Sequence, residues 1–369
     1  MAKTYAEIND KIKKGTAVVL TAEEVSELAK TLSPKEIAEK VDVVTTATFG
    51  AMCSSGAFLN FGHTNPPIRM EKIELNGVRV SGGLAAVDTY VGATDCNPEN
   101  PSYGGAHIIE DLVAGKEITL EAWGKGTDCY PRKHIKTVIT KDTINEAILY
   151  NPRNAYQNYN VATNSTDKIK YTYMGTLLPK LRNASYSTAG ELSPLLNDPE
   201  CRTIGLGTRI FLCGTEGYVT WNGTQFHSTK ETNEYGIPTS NARTIAVSGD
   251  LKNMSTEFLR GVYYEKYGVS MFVGIGIPIP ILDEDLARRV SIRNEQIETT
   301  VVDYGNGNKI LGKTNYAALQ SGEIEVNGHK IKTAPVASLS KARQIAEILK
   351  SWIQKGDFLL TEPVRPMPT

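Results

Sequence analysis

Two cysteines of this chain each follow a predicted strand and a short glycine-containing stretch. Cys53 lies in GAMCSSG after the β-branched run 41–49, and Cys129 lies in GKGTDCYPR after the strand predicted at 117–123. Small residues let backbone N–H groups approach a sulfur atom, and strand ends that lead into glycine-rich loops often carry the sites of α/β enzymes. The pattern predicts two reactive thiols, with inert buried cysteines as the alternative.

Basic side chains follow both cysteines. His63 and Arg69 lie downstream of Cys53, and Arg132 and His134 come directly after Cys129. Nearby cations favour the thiolate, which is the reactive form of cysteine. The histidines are candidate general acids and the arginines are candidate carboxylate ligands, although a basic run after a turn is usually a solvated surface.

A second candidate anion site is the pair Gly104-Gly105. It opens the predicted helix AHIIEDLVAG, and the first N–H groups of a helix have no partner within the helix. These groups can bind a carboxylate. The alternative interpretation is a glycine-rich turn with no ligand.

The composition is that of a globular protein and excludes several functions. The 369 residues carry a net charge of -1, so nothing in the charge favours binding to nucleic acid or to an acidic membrane surface. No apolar run approaches the roughly 20 residues of a membrane span, and the N-terminus has no hydrophobic signal core. We expect a cytoplasmic enzyme, and a homodimer is the usual state of such enzymes. The odd number of cysteines, five, argues against a disulfide framework.

Local patterns predict several helices and turns. Thr21 and Ser33 each begin a capping box, and the amphipathic segment that follows Ser338 predicts a helix that ends at Gly356. The Asn76-Gly77 pair predicts a hairpin. Residues 141–153 read as a short helix capped by Asp142.

These elements predict an α/β or α+β fold, with a mixed sheet, two lobes, and helices at both ends of the chain. The first lobe is residues 1–150 and contains Cys53, Cys96 and Cys129. Residues 151–200, rich in Asn, Tyr and Ser, read as an irregular connection, and residues 201–369 as a strand-rich second lobe. Within that lobe GVSMFVGIGIPIPIL is either a strand whose end lines the same cleft as the cysteines or a tight crossover.

The chain resembles the homocysteine biosynthesis proteins of methanogens and anaerobes, described as L-aspartate semialdehyde sulfurtransferases. The resemblance lies in four separated stretches, TFGAMCSSGAFLNFGHTNPPIRM, SYGGAHIIEDLVAG, GKGTDCYPRKH and GVSMFVGIGIPIPIL. It implies sulfur insertion into L-aspartate semialdehyde to give L-homocysteine, with Cys53 and Cys129 as the functional cysteines. It also implies a ferredoxin-type electron donor. Many relatives continue into a pair of CBS domains; because this sequence ends at Thr369, regulation through such domains is not expected.

Two uses of the cysteines remain open. In the first, Cys53 carries sulfur as a persulfide and attacks the aldehyde, and Cys129 resolves the intermediate to leave a disulfide, since reduction of a thioaldehyde requires two electrons. In the second, Cys53, Cys96 and Cys129 hold a 4Fe-4S cluster whose fourth iron binds sulfide. Sulfide itself or another sulfur donor would supply the sulfur. Competing functions are a non-catalytic sulfur carrier or iron-sulfur scaffold, and a Cys-His hydrolase in which His63 contacts Cys53.

Overall fold

The structure, a computed structural model, describes residues 2–225 and 230–368. The predicted N-terminal capping boxes are present: the side chains of Thr21 and Ser33 accept hydrogen bonds from the amides of Glu24 and Glu36. Ser338 caps the C-terminal helix in the same way. The α-helices are α1 (Tyr5–Lys13), α2 (Ala22–Leu28), α3 (Pro34–Lys40), α4 (Gly105–Val113), α5 (Pro194–Asn197), α6 (Glu284–Arg289), α7 (Tyr316–Gln320) and α8 (Leu339–Gln354).

A ten-stranded mixed sheet forms the centre of the fold. Its strands, in spatial order, are β1 (Val19–Thr21), β2 (Val43–Ala51), β18 (Gly268–Pro280), β14 (Arg209–Leu212), β15 (Thr215–Asn222), β16 (Ile245–Asp250), β9 (Glu146–Asn154), β3 (Gly56–Asn60) and β6 (Asp88–Gly92), with β17 (Leu259–Tyr264) also paired to β18. β1 is parallel to β2, and the other pairs are antiparallel. Together with the helices, this sheet confirms the predicted mixed α/β class.

Three smaller sheets complete the fold. The six-stranded sheet has the order β20 (Lys309–Asn315), β19 (Glu298–Asp303), β10 (Val161–Thr163), β13 (Asn183–Tyr186), β22 (His329–Pro335) and β21 (Glu323–Val326). The four-stranded sheet has the order β5 (Val78–Val80), β4 (Lys72–Leu75), β7 (Ile118–Trp123) and β8 (His134–Ile139), and a separate hairpin joins β11 (Lys170–Thr172) to β12 (Gly175–Leu177). The predicted Asn76-Gly77 turn connects β4 and β5, and both residues have positive φ.

The predicted division into two lobes is wrong. The ten-stranded sheet takes β1, β2, β3, β6 and β9 from residues 1–154 and β14 to β18 from residues 209–280, so both halves of the chain build the central sheet. The main hydrophobic core likewise contains residues from Ile8 to Met367. Pairing between distant strands is invisible to a search for composition shifts along the chain.

The stretch 151–200 is interior rather than an irregular connection. Asn151, Asn154, Asn158 and Asn164 are all fully buried. The amide of Asn158, for example, donates to the carbonyl oxygens of residues 238 and 298. Buried polar side chains are tolerated when they are hydrogen-bonded, and here they bind backbone groups that would otherwise lack partners. A polar composition therefore misled the prediction.

The helix predicted at 141–153 is also wrong, because most of that segment is strand β9. Alternate residues such as Ala147 and Leu149 are buried while Ile148 is exposed, which is the period of a strand. β9 pairs with β16 on one side and β3 on the other. These two ladders outweigh the local helix propensity.

Helices from both ends of the chain pack on the central sheet, as predicted. Gly274 and Gly276 of β18 lie under α8, where an added Cβ would come within 2.8 and 2.9 Å of the Ile345 side chain. The glycines of this strand therefore allow close packing of the C-terminal helix. None of the helices in the described residues is long and apolar enough to cross a membrane.

Candidate active site

A cavity of about 210 Å³ lies where the end of β2 meets the ends of three other chain segments. Cys53 is half-buried and lines it, on the turn between β2 and β3. Residues 153, 156 and 159, at the end of β9 and just after it, form a second wall, and the β11–β12 turn forms a third. Residues 187, 225, 336 and 337 complete the lining. Tyr267, on the β17–β18 turn, lies at its mouth with 41% of its surface exposed.

The pairing of β2 with β18 places Ser270 beside Cys53. The register pairs Ala51 with Phe272, and the amide of Met52 donates to the Met271 carbonyl oxygen at 2.7 Å. One further step along both strands brings Ser270 opposite Cys53. The Ser270 hydroxyl donates a hydrogen bond to Cys53 Sγ at 3.1 Å, which fixes the orientation of the sulfur.

The pairing of β3 with β9 places Arg153 on the other side of the cysteine. Gly56, which follows the Cys53 turn, pairs with Tyr150, so the end of β9 brings Arg153 to the same cavity as Cys53. The guanidinium donates to Gln225 Oε1 at 2.9 Å and to Thr224 Oγ1 at 3.3–3.4 Å, and it is also hydrogen-bonded to the neutral Tyr156 side chain. Within residues 2–225 and 230–368 no carboxylate forms an ion pair with Arg153. Its positive charge is therefore available to an anionic ligand in the cavity.

Tyrosine side chains form much of the cavity wall. The hydroxyl of Tyr173 lies 2.8 Å from that of Tyr159 and 2.7 Å from that of Tyr304, and its ring contacts the ring of Tyr267 with centroids 6.0 Å apart. Burial raises the pKa of Tyr159, Tyr267 and Tyr304, and that of Tyr156 to about 12. These phenols are therefore protonated at neutral pH and act as hydrogen-bond donors.

Cys129 and its neighbours lie at the other end of β3 from Cys53. Strand β3 begins at Gly56 and ends at Asn60. Cys53 comes just before the strand, whereas the Cys129 loop contacts the segment that follows it. In that contact the Arg132 side chain donates to the backbone oxygen of residue 65 at 2.9 Å, and the ring of His63 stacks on that of Tyr130. A strand of this length separates its ends by about 14 Å. Cys129, His63 and Arg132 do not line the Cys53 cavity.

The other two predicted side chains are on the surface near the four-stranded sheet. His134 is on β8, where its Nε2 lies 3.0 Å from Glu121 Oε1 and its ring lies against Trp123. Arg69 is exposed, and neither residue lines the cavity. Sequence proximity to a cysteine was therefore a poor guide to spatial proximity.

Gly104 and Gly105 serve close packing. The amide of Gly104 donates to His107 Nδ1, that of Gly105 to the Asp95 carbonyl oxygen, and that of Ala106 to the Ala93 carbonyl oxygen. An added Cβ on Gly105 would lie 1.8 Å from the backbone oxygen of residue 92. These amides already have partners, so the structure supports the interpretation of this pair as a packed turn.

The three cysteines proposed as cluster ligands do not form a preassembled site. Cys96 lies at the same end of β3 and β6 as Cys53, but Cys129 lies at the opposite end, and both Cys96 and Cys129 are exposed. In the part of the chain that the structure describes, no group of three or more His, Cys, Asp or Glu side chains is arranged to hold a metal ion. Cys201 and Cys213 are buried, which raises the pKa of both thiols to about 12 and makes them unreactive.

Comparison with known proteins identifies the family. A family model described as homocysteine biosynthesis enzyme, sulfur-incorporation, matches residues 17–360. The chain belongs to this family. It is 51% identical to the L-aspartate semialdehyde sulfurtransferase of Methanocaldococcus jannaschii, over 98% of this chain and 72% of that protein. It is 48% identical to the protein of the same name from Methanosarcina acetivorans, over 99% and 72% of the two chains. No solved structure matches it.

The resemblance predicted from four sequence motifs is thus confirmed. Three residues of this homocysteine biosynthesis enzyme that line or support the cavity were missed from sequence, namely Arg153, Tyr267 and Ser270. Ser270 lies within one of those motifs, GVSMFVGIG, and was overlooked because a serine in a buried strand carries no distinctive pattern. Arg153 and Tyr267 reach Cys53 through strand pairing across more than 90 residues, which no local signal reveals.

Proposed function

We propose that this protein is an L-aspartate semialdehyde sulfurtransferase that forms L-homocysteine, with Cys53 as the residue that carries the transferred sulfur. Two relatives of that name, each about half identical over nearly the whole chain, support the reaction. The observation that carries the assignment of Cys53 is its position. Its sulfur lies in a cavity of small-molecule size beside the unpaired charge of Arg153.

The cavity offers complementary groups to each part of the substrate. The α-carboxylate of L-aspartate semialdehyde binds the Arg153 guanidinium, because charge-assisted hydrogen bonds from arginine to carboxylate are among the strongest in proteins. The aldehyde then points toward Cys53 on the opposite strand. Tyrosine rings and Met174 enclose the carbon chain and limit access of water. Because the bound aldehyde lies next to the sulfur, the addition no longer depends on a bimolecular encounter and proceeds as an intramolecular step.

The sulfur held at Cys53 forms a bond to the aldehyde carbon, and the carbonyl oxygen takes up a proton. With sulfide the adduct is a thiohemiacetal, which loses water to give a thioaldehyde, and reduction of the thioaldehyde to the thiol requires two electrons. If the sulfur starts as a Cys53 persulfide, the S–S bond of the adduct is first cleaved with two more electrons, which releases the thiohemiacetal and the Cys53 thiol. In the balanced reaction, the Cys53 persulfide and the aldehyde take up four electrons and four protons. The products are the Cys53 thiol, homocysteine and water.

The electrons come from outside the cavity in this scheme. The sulfur donor is sulfide, which adds to the aldehyde directly, or a protein that transfers sulfane sulfur to the Cys53 thiol to form the persulfide. The reductant is a protein of the ferredoxin type. No step passes through an iron-sulfur cluster, because Cys53, Cys96 and Cys129 do not gather around one point. A cavity with a cation beside the thiol also favours an enzyme over a passive sulfur carrier, which needs exposed thiols on a flat surface.

The test is homocysteine formation by the anaerobically purified protein supplied with L-aspartate semialdehyde, sulfide and a reductant. Cys53→Ala is expected to abolish product formation, whereas Cys201→Ala, which changes a buried cysteine outside the cavity, keeps it. Mass spectrometry of the protein treated with a persulfide donor, which transfers a sulfane sulfur to a thiol, should find an added sulfur on the peptide of Cys53. Full activity of Cys53→Ala would overturn the proposal.

A further inference from the structure

The described wall of the Cys53 cavity lacks the side chains that most often act as proton donors. Among the described residues that line it there is no histidine, aspartate, glutamate or lysine. Addition of a sulfur anion to an aldehyde creates an alkoxide, which must be stabilised and protonated in the same place. Among the described residues that line the cavity, the hydroxyl groups are therefore the candidate donors of that proton.

The Tyr267 hydroxyl lies beside the reacting atom. Its oxygen lies 3.7 Å from Cys53 Sγ, within hydrogen-bond reach for sulfur, and its ring borders the cavity. When the carbonyl carbon is bonded to the sulfur at Cys53, the carbonyl oxygen lies within a few ångströms of the Tyr267 hydroxyl. A small rotation of the tyrosine side chain moves its proton from the sulfur to that oxygen.

Several other hydroxyls near the sulfur have different roles. Ser270 is fully buried and donates to Cys53 itself. Tyr159 and Tyr173 are hydrogen-bonded to each other, and the hydroxyl of Tyr156 lies 3.2 Å from Gln225 Oε1. The Tyr264 hydroxyl is buried and has no hydrogen-bond partner among the described residues. The hydroxyl of Tyr267, in contrast, borders the cavity and lies against the Cys53 sulfur, the atom at which the reaction takes place.

We propose that Tyr267 is the general acid of the addition step, giving its phenolic proton to the aldehyde oxygen as the sulfur at Cys53 bonds to the carbonyl carbon. This inference rests on the function proposed above. The C–S bond forms, the C=O π bond breaks, and its electron pair takes the proton from Tyr267. The product is a hydroxyl group and a phenolate. Because Tyr267 is partly exposed, water returns a proton to the phenolate, and no oxidant or reductant is involved.

The experiment compares Tyr267→Phe with wild type in homocysteine formation. Loss of a general acid is expected to lower kcat by about 10²-fold or more with little change in KM for the aldehyde. The matched control is Tyr263→Phe, the same change at an exposed position on the same hairpin, which is expected to keep kcat within about twofold. A kcat for Tyr267→Phe within twofold of wild type would overturn the inference.

Two further measurements separate proton transfer from positioning. Added buffer acids should accelerate Tyr267→Phe in proportion to their concentration and leave wild type unchanged, because a small acid replaces the missing phenol. The rate of Cys53 alkylation by iodoacetamide should be similar in both proteins. An alkylation rate that falls as much as kcat would show that the phenol only positions the sulfur, and would overturn the inference. Failure of wild type to form homocysteine would instead refute the proposed function.

Discussion

Arg153 provides the sharpest test of how the substrate binds. Its guanidinium is half-buried, lines the Cys53 cavity and, among the described residues, has the neutral partners Thr224, Gln225 and Tyr156. A hydrogen bond that involves a charged group contributes about 1.5–3 kcal/mol. Since about 1.4 kcal/mol corresponds to a factor of ten, Arg153→Gln is expected to raise KM for L-aspartate semialdehyde roughly 10- to 150-fold. Arg153→Lys keeps the charge but loses the planar fork, so its effect should be smaller.

The assay measures initial rates of homocysteine formation against aldehyde concentration, with sulfide and reductant held constant. A second aldehyde without the carboxylate, such as butanal, separates carboxylate recognition from general damage. Arg153→Gln should lower the efficiency with L-aspartate semialdehyde and leave that with butanal unchanged. Arg79→Gln, at an exposed position on β5, is the matched control. An equal loss with both aldehydes, or a KM within twofold of wild type, would refute carboxylate binding by Arg153.

Two other predictions concern distant parts of the structure. Oxidation of the native protein with diamide should give no intrachain disulfide between Cys53 and Cys129, because such a bond requires Cα atoms within about 7 Å. Peptide mapping by mass spectrometry would detect the disulfide. Its rapid formation would contradict the separation of the two cysteines along β3. Burial alone would raise the pKa of Asp42, but hydrogen bonds from Lys11, the amide of Val18 and Lys3 lower it overall. Its contribution to stability is therefore present above the ordinary value of 3.8 and is lost as the pH falls below it. In urea unfolding, Asp42→Asn should cost about 1–3 kcal/mol at pH 7 and less at pH 3, and an equal cost at both would contradict this.

Local structure was the most predictable part of the fold. The capping boxes at Thr21 and Ser33, the Asn76-Gly77 hairpin and the helix capped by Ser338 all form as expected. Each depends on residues within a few positions of one another, where backbone geometry and hydrogen bonding act directly. The two lobes were wrong because β9 and β18 find their partners across the chain.

Of the residues that line the cavity, one, Cys53, was predicted from the sequence. Cys53 follows a strand and a glycine within a few positions, and such a local pattern is visible in the sequence. The cations near it in sequence lie elsewhere because β3 carries the chain away from the cavity immediately after Ser55. The cation near it in space, Arg153, lies on β9 in a segment that was interpreted first as a helix. An error in one secondary-structure element therefore concealed the residue that we propose binds the substrate.

The tyrosine-rich wall also bears on the competing class of cysteine hydrolases. Such an enzyme needs a histidine within hydrogen-bond reach of the nucleophile to accept its proton. His63, the candidate for that role, stacks on Tyr130 beyond the far end of β3, and no histidine lines the cavity among the described residues. A sulfur anion delivered as sulfide or persulfide needs no such base, because it already exists in deprotonated form near neutral pH. It needs a bound carbonyl and an acid for the oxygen, which are the two functions assigned to Arg153 and Tyr267. The composition of the cavity wall thus favours addition of sulfur to an aldehyde over acyl transfer.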